Sequence, residues 1–365
     1  MRVLHDVPTY LPATRYGGPI FAVHGLCKAL AARGHDVHVF TTNVDGAGVS
    51  DVPLGMAVPL DGVSVHYFAS PFRRLYYSPA IRAALRAVRD FDLLHLHSVF
   101  LWPTYAAARA AERNGVPYVV SPRGMLVPEL IDRKSRLLKR AWIRLFERRT
   151  FARAAAVHFT SEREHEDARR TAIPIPNAVV IPNGVDLPPA AQAARGTDLL
   201  FLGRINWKKG LDRLIEAMRL LPEARLTIAG NDEENYRATL SSAENVRFAG
   251  PVSGAAKDEL LRGAAALVLP SYSENFGNVV LEAMAVGTPV VVTPEVGLAE
   301  EVARAGAGVV TPNEPARLAA ELRALLADPA RREEMGRRGR ALVESRFTWE
   351  RVAEEMEAAY GRLRR

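Results

Sequence analysis

The chain has 365 residues, 48% of them hydrophobic, a formal net charge of +7 and a single cysteine, Cys27. That length can bury two cores and predicts two domains. One cysteine excludes an internal disulfide framework and fits a reducing compartment. No apolar run approaches the roughly 20 residues that cross a bilayer, and the opening MRVLHDVPTY reads as a strand, not a secretion signal, so a soluble, cytoplasmic protein is expected.

Charge is unevenly spread. Residues 1–182 hold 24 Lys/Arg against 15 Asp/Glu, a balance of +9, while the remainder holds 24 against 26, a balance of −2. A basic first half is expected to face something anionic: lipid head groups, phosphate or nucleic acid. Only six of the 48 basic residues are Lys, so a bias toward Arg inflates apparent basic patches.

In chain order, strands are predicted near 2–7, 36–42, 63–69, 92–97, 117–121 and 155–160, with helices over 18–33, 80–90, 102–114, 132–153 and 161–170. After the Pro-rich stretch Ile173 to Pro189 and the segment Ala190 to Thr197, the scheme repeats with LLFLG (199–203), LTIAG (226–230), VRFAG (246–250), ALVLP (266–270) and PVVVT (289–293), each followed by a helical pattern. Short, continuously apolar strands joined by helices imply parallel sheets covered on both faces. The Pro-rich break marks the boundary, with domains expected at 1–182 and 183–345. Open α/β sheets bind ligands beyond the carboxyl ends of their strands, and most polar motifs here fall at strand ends. Two such domains facing each other across a cleft would make a two-substrate enzyme.

The most informative stretch runs from Ser271 to Met284. Two carboxylates, Glu274 and Glu282, stand eight residues apart around a helix start, with Gly277 between them and Gly287-Thr-Pro289 closing the helix. At roughly 1.5 Å per helical residue they span at most about 12 Å, near the length of a sugar diphosphate. The N–H groups of the helix start suit a phosphate, which leaves the acids to grip hydroxyls at either end. The same spacing is equally that of an ordinary strand–loop–helix unit. Upstream, Gly203-Arg-Ile-Asn-Trp-Lys-Lys-Gly210 sets Arg204 and two of the six lysines at another strand end, where they would neutralise a diphosphate. A solvated loop is the alternative.

In the first half, Gly17 and Gly18 follow the first strand and open a helix, permitting close backbone approach to a ligand; a plain tight turn explains them as well. His97 ends the strand LLHLH, with His95 on the same face, and Arg123 ends the next strand. A strand-end His can bond a sugar hydroxyl, although one His on a strand is more often structural. Ser161 with Glu164 reads as a capping box. The run 132–153 is densely basic, with Leu137, Leu138, Ala141, Trp142, Leu145 and Phe146 forming an apolar stripe. It is either an interfacial helix against an anionic membrane surface or a core-packed crossover helix with a solvated basic back. There is no His-Glu-x-x-His and no Cys pair, so a divalent metal is not expected.

Glu274-Asn-Phe-Gly…Glu282, Gly203-Arg204…Lys209-Gly210, Ile181-Pro-Asn-Gly-Val-Asp186 and Gly17-Gly18 together resemble family 4 of the retaining, nucleotide-sugar-dependent glycosyltransferases, across almost the whole chain. The resemblance implies the α/β GT-B fold of two facing Rossmann-like domains: an acceptor-binding first domain, a donor-binding second domain, and a terminal segment at 346–365, begun by Phe347-Thr-Trp349, that crosses back to the first. It implies that Glu274 contacts the donor sugar and Glu282 the ribose, that Arg204 and Lys209 bind the diphosphate, and that backbone of Phe276, Gly277, Asn278 and Val279 assists. It puts His97 and Gly18 beside the donor and Gly17 and Arg123 on the acceptor side. Ser121-Pro-Arg-Gly-Met125 resembles a subgroup that builds bacterial surface polysaccharides. The expected reaction is metal-independent and cofactor-free transfer of a hexose-type sugar with retention, onto a saccharide or lipid-linked acceptor. The enzyme would work in the cytoplasm or peripherally on the inner face of the membrane, with no nucleic-acid partner. A hydrolysing nucleotide-sugar epimerase would instead change the donor's configuration without acceptor, and a non-catalytic sugar-nucleotide-binding subunit would bind donor without turnover.

Overall fold

Runs such as Leu93–His97, Leu199–Leu202 and Ala266–Leu269 bury every residue, as strands with helices on both faces must. A computed structural model describes the chain apart from residues 16, 134–135, 190–195, 233–234 and 365 and the side chains of residues 130 and 133. Tyr16 and most of the Ala190–Thr197 segment therefore lie outside the described residues. Two units result: Met1–Gly184 with Trp349–Arg365, and Val185–Thr348.

In the first unit the strands are β1 (Arg2–Thr9), β2 (Asp36–Thr42), the small antiparallel hairpin β3 (Val44–Asp45) and β4 (Gly48–Val49), then β5 (Ala57–Leu60), β6 (Val63–Phe68), β7 (Leu93–His97), β8 (Tyr118–Ser121), β9 (Ala156–Phe159) and β10 (Ala178–Val180). The main sheet has the order β10-β9-β8-β7-β1-β2-β6-β5 and is parallel except for the edge strand β5. The second unit contains β11 (Leu199–Leu202), β12 (Leu226–Ala229), β13 (Val246–Gly250), β14 (Ala266–Leu269), β15 (Val290–Val292) and β16 (Gly308–Val310), in the all-parallel order β13-β12-β11-β14-β15-β16. Both sheets wind outward from a central pair, β1/β7 in one and β11/β14 in the other. This is the doubly wound Rossmann-like pattern, in which the chain reverses direction across the sheet at that pair.

The last helix, Trp349–Leu363, belongs to the first unit. Its buried residues Val352, Ala353, Met356, Ala359 and Tyr360 recur at helical spacing and join Val3, Val7, Leu26, Leu30 and Val65 in one face of that unit's core. Trp349 lies against Gly25 and Gly184: a Cβ added there would stand 2.2 Å and 2.5 Å from its ring. The division between units falls after Gly184 and after Thr348, against the sequence expectations of 182 and 345.

Over the run 132–153, the helix Pro128–Arg133 stands before residues 134–135, and beyond them the helix Arg136–Trp142 passes directly through a π turn at Ile143–Glu147 into Arg148–Ala152. Among the described residues, no helix is long and apolar enough to cross a membrane.

Candidate functional site

In the second unit the sheet reverses direction between β11 and β14, and the two motifs singled out above leave the carboxyl ends of these two strands. After β11 the chain makes a 3-10 turn, Trp207–Lys209, in which Lys208 N donates to the capping Asn206 Oδ1 (3.1 Å). The turn ends at Gly210 in the left-handed region (φ 64°), where a Cβ would stand 2.0 Å from the carbonyl oxygen of Pro270, just past β14. Only glycine fits there. That contact, with Tyr272 N donating to Lys208 O at 2.7 Å, locks the two loops together, and the Lys209 ammonium forms an ion pair with Glu274 Oε2.

Glu274 is held by its backbone. Its N–H donates to Glu295 O (3.1 Å), and its carbonyl accepts from Gly297 N (2.9 Å). Phe276 is buried in the core, so only its backbone can face a ligand. Gly277 is left-handed (φ 96°) and begins the helix Asn278–Ala285, at which no side-chain cap occurs among the described residues. Asn278 and Val279 form that turn, and Glu282 lies on the helix. The Lys257 ammonium, from the neighbouring helix Gly254–Gly263, stands 3.1 Å from Glu282 Oε1. Burial raises the carboxyl pKa of Glu282, and Lys257 pulls it back down. Arg204 is exposed and makes no ion pair with either glutamate among the described residues. Sequence reasoning missed Lys257. The available signal was its rarity as one of six lysines, but nothing local pointed it at Glu282.

In the first unit, Gly17 (φ 67°) precedes the helix Gly18–Ala32, again with no side-chain cap among the described residues. His97 is buried at 1% exposure. The cause is in-register pairing. His5 faces His95, and His97 faces Ser121, so polar residues of the same parity on β1, β7, β8 and β9 gather on one side of the sheet. That shared parity of His5, His95, His97, Ser121 and His158 was a legible signal that went unread.

Hydrogen bonding orders this cluster. Arg123, itself left-handed (φ 55°), donates to His97 Nδ1 (3.2 Å) and to Asn183 Oδ1 (2.9 Å). The His97 proton must then sit on Nε2 and point to His5 Nδ1 (3.0 Å). In the second chain, Tyr360 O–H donates to His95 Nδ1 (2.7 Å), His95 Nε2 to Ser121 Oγ (2.6 Å), Ser121 to His158 Nδ1 (2.7 Å), and His158 Nε2 to Ile181 O (2.9 Å). Burial, reinforced by Arg123, holds these rings neutral, with His5 and His158 pushed down to about 3. Glu164 accepts from Gly124 N (2.6 Å) and Thr160 N (2.7 Å) while Ser161 Oγ accepts from Glu164 N (3.1 Å), so this capping box also secures the Arg123–Gly124 turn.

His5, His95 and His97 bring ligand-type nitrogens within 4.8 Å of one another. Most of those nitrogens are spent on the chains just described, and a cation there would meet the Arg123 guanidinium. The donor set suits a hydrogen-bond network better than a metal.

Two doubly wound domains, each opening a helix on a left-handed glycine, Gly17 or Gly277, at the carboxyl ends of its strands, make an α/β protein of the GT-B fold. Comparison with known proteins agrees. Residues 17–184 match the family "Glycosyl transferase 4-like domain" and residues 190–342 match "Glycosyl transferases group 1". A D-inositol 3-phosphate glycosyltransferase of Stackebrandtia nassauensis is 30% identical, over 98% of this chain and 90% of its own length. The phosphatidyl-myo-inositol mannosyltransferase of Mycobacterium leprae is also 30% identical, over 94% and 92%. Among solved structures, Anabaena HepE in complex with UDP-glucose superposes with a TM-score of 0.77 at 19% identity, covering 99% of this chain and 100% of that one. Sucrose-phosphate synthase from Thermosynechococcus elongatus gives 0.76 at 21% identity, over 99% and 98%. The chain belongs to family 4 of the glycosyltransferases.

Proposed function

We propose that this glycosyltransferase moves a hexose-type sugar from a nucleoside diphosphate sugar to a hydroxyl of a lipid-linked acceptor, with retention and without a divalent metal, in the building of a polysaccharide or glycolipid at the inner face of the membrane. The observation that carries the reading is the Lys209–Glu274 pair formed where β11 and β14 diverge, the place where a doubly wound sheet receives its ligand. Two further facts support it: HepE holds UDP-glucose on the same fold, and the similar mannosyltransferase is named for a phosphatidylinositol acceptor.

In this reading the diphosphate lies on the start of the helix Asn278–Ala285, with Arg204 and Lys209 facing its charge. Glu274, released by Lys209, turns to the sugar hydroxyls, and Glu282 takes the ribose. The bond from C1 to the diphosphate oxygen breaks, and the acceptor oxygen bonds C1 on the same face. The acceptor proton passes to the departing phosphate oxygen. Fixed positive charge and N–H dipoles placed where negative charge develops supply the acceleration. Gly17, Gly18, His97 and Arg123 are the first unit's candidates for contact with a ligand, with His97 acting through Arg123, to which it is bonded.

A panel of UDP-, GDP- and ADP-sugars in a thermal-shift assay identifies the donor, because a ligand that binds the native state stabilises it. Transfer is expected to survive EDTA, to give an α-linked product from an α-donor by NMR, and to fall by about a hundredfold in Lys209→Ala and Glu282→Ala. Full activity in both variants, or loss of activity in EDTA, overturns the assignment.

A further inference from the structure

The basic segment at 136–149 presents its apolar side chains to solvent. The π turn Ile143–Glu147 inserts an extra residue and draws Glu147 inward, where its carboxylate accepts from Phe100 N (2.7 Å) and Trp142 Nε1 (2.9 Å). Phe146 follows, with its ring 4.8 Å from Tyr105 and 4.6 Å from Trp142. The stripe seen in the sequence therefore splits. Trp142 and Phe146 pack inward, while Leu137, Leu138 and Leu145 are 83%, 61% and 68% exposed, with Ala141 exposed between them. A core-packed crossover helix does not leave three leucines in this state.

Exposed cations flank the leucines. Arg136 and Arg140 are paired with Asp132 at 3.2 Å and 3.0 Å, whereas Arg144 and Arg148 have no ion pair among the described residues. Lys134 lies outside the described residues. A second exposed group, Phe72 with Arg73 and Arg74, is tied to the same flank. Phe72 bridges Tyr77, the Tyr77 ring packs on Trp102 at 4.8 Å, and Tyr105 lies three residues further along that helix, against Phe146.

We propose that this face, Leu137, Leu138, Ala141 and Leu145 ringed by Arg136, Arg140, Arg144 and Arg148, docks on an anionic lipid surface. The leucines would enter the boundary between head groups and acyl chains while the guanidinium groups bind lipid phosphates. Either contribution alone gives weak, reversible association, and together they give stable docking. Charge complementarity selects the occupant, since an apolar protein groove would not match Arg144 and Arg148, which have no ion pair among the described residues, beside Arg136 and Arg140. The inference goes beyond the donor chemistry and stands independently of it.

Co-sedimentation of the full chain with phosphatidylglycerol-containing and pure phosphatidylcholine vesicles tests it. Binding is expected only to the anionic vesicles, weakening as salt rises, and is expected to fall by at least about tenfold both in Leu137→Ser/Leu138→Ser/Leu145→Ser and in Arg144→Glu/Arg148→Glu. Donor hydrolysis without vesicles, expected to be unchanged in both variants, reports that they fold. Absent binding at low salt overturns the proposal, as does binding indifferent to the leucine variant. A dimer in sedimentation velocity that the leucine variant dissociates would assign the face to a second copy instead. Vesicle binding without donor turnover would leave this inference standing while sinking the proposed function.

Discussion

The Lys257 ammonium stands 3.1 Å from Glu282 Oε1, joining the helix Gly254–Gly263 to the helix whose start is the proposed diphosphate seat. It parallels the Lys209–Glu274 pair. Two of the chain's six lysines thus answer its two diagnostic glutamates.

Lys257 should therefore govern the charge on Glu282. Burial raises that carboxyl pKa and Lys257 lowers it, so Lys257→Met moves it further up. Hydroxyl recognition needs the ionised acid, and donor affinity in the variant should fall by about tenfold, with its pH midpoint displaced upward. Lys257→Arg should largely restore both. Calorimetric titration of donor across pH checks this; a midpoint unmoved in the Met variant removes Lys257 from the site.

Asp6 makes stability depend on pH. Both its carboxylate oxygens are buried without a hydrogen-bond partner among the described residues, and burial raises its pKa from 3.8 to about 8. The folded protein therefore holds a proton that the unfolded chain releases near pH 3.8. The associated stability is complete below that pH, declines as pH rises, and is gone above about 8. Asp6→Asn should abolish this decline, so its stability relative to the wild type should improve steadily between pH 4 and pH 8. Urea midpoints near both ends of that window decide it, and parallel profiles would refute it.

Trp349 fixes the point where the chain re-enters the first unit. An added methyl at Gly184 or Gly25 would lie 2.5 Å or 2.2 Å from its ring, so each Gly→Ala substitution should destabilise by about 1–3 kcal/mol through overpacking. Combining Gly184→Ala with Trp349→Ala should cost less than the two single changes summed, because the clash disappears. Additive denaturation midpoints would show that the contact is slack.

Tyr360→Phe keeps the ring and deletes only the donor to His95 Nδ1. A buried acceptor left unmet costs about 1–3 kcal/mol. Hydrogen exchange should also quicken at Ile181, the far end of the Tyr360–His95–Ser121–His158 chain. Loss of stability without that change would confine the effect to the helix.

Most of the fold was legible. Continuous apolar runs placed the central strands of both sheets within a residue or two, because burial on both faces imprints a local pattern. The edge strands β5, β10 and β16 were not foreseen; they are three or four residues long and carry little of that pattern. The π turn at Ile143–Glu147 inside the helix expected over 132–153 was not foreseen, because the bonds of Glu147 to Phe100 N and Trp142 leave no local trace.

For the site, the sequence by itself determined the residue types at the strand ends and, through their combination, the family. The tertiary structure decided which charges meet. Lys209 is 65 residues from Glu274, and Lys257 is 25 from Glu282; their pairing depends on β11 lying beside β14 and on a helix–helix contact. The bond from Arg123 to His97 Nδ1 arises the same way, between side chains 26 residues apart at the ends of neighbouring strands. Periodicity is written by each residue's own burial, whereas ion pairs and hydrogen-bond chains depend on register between segments far apart in the chain.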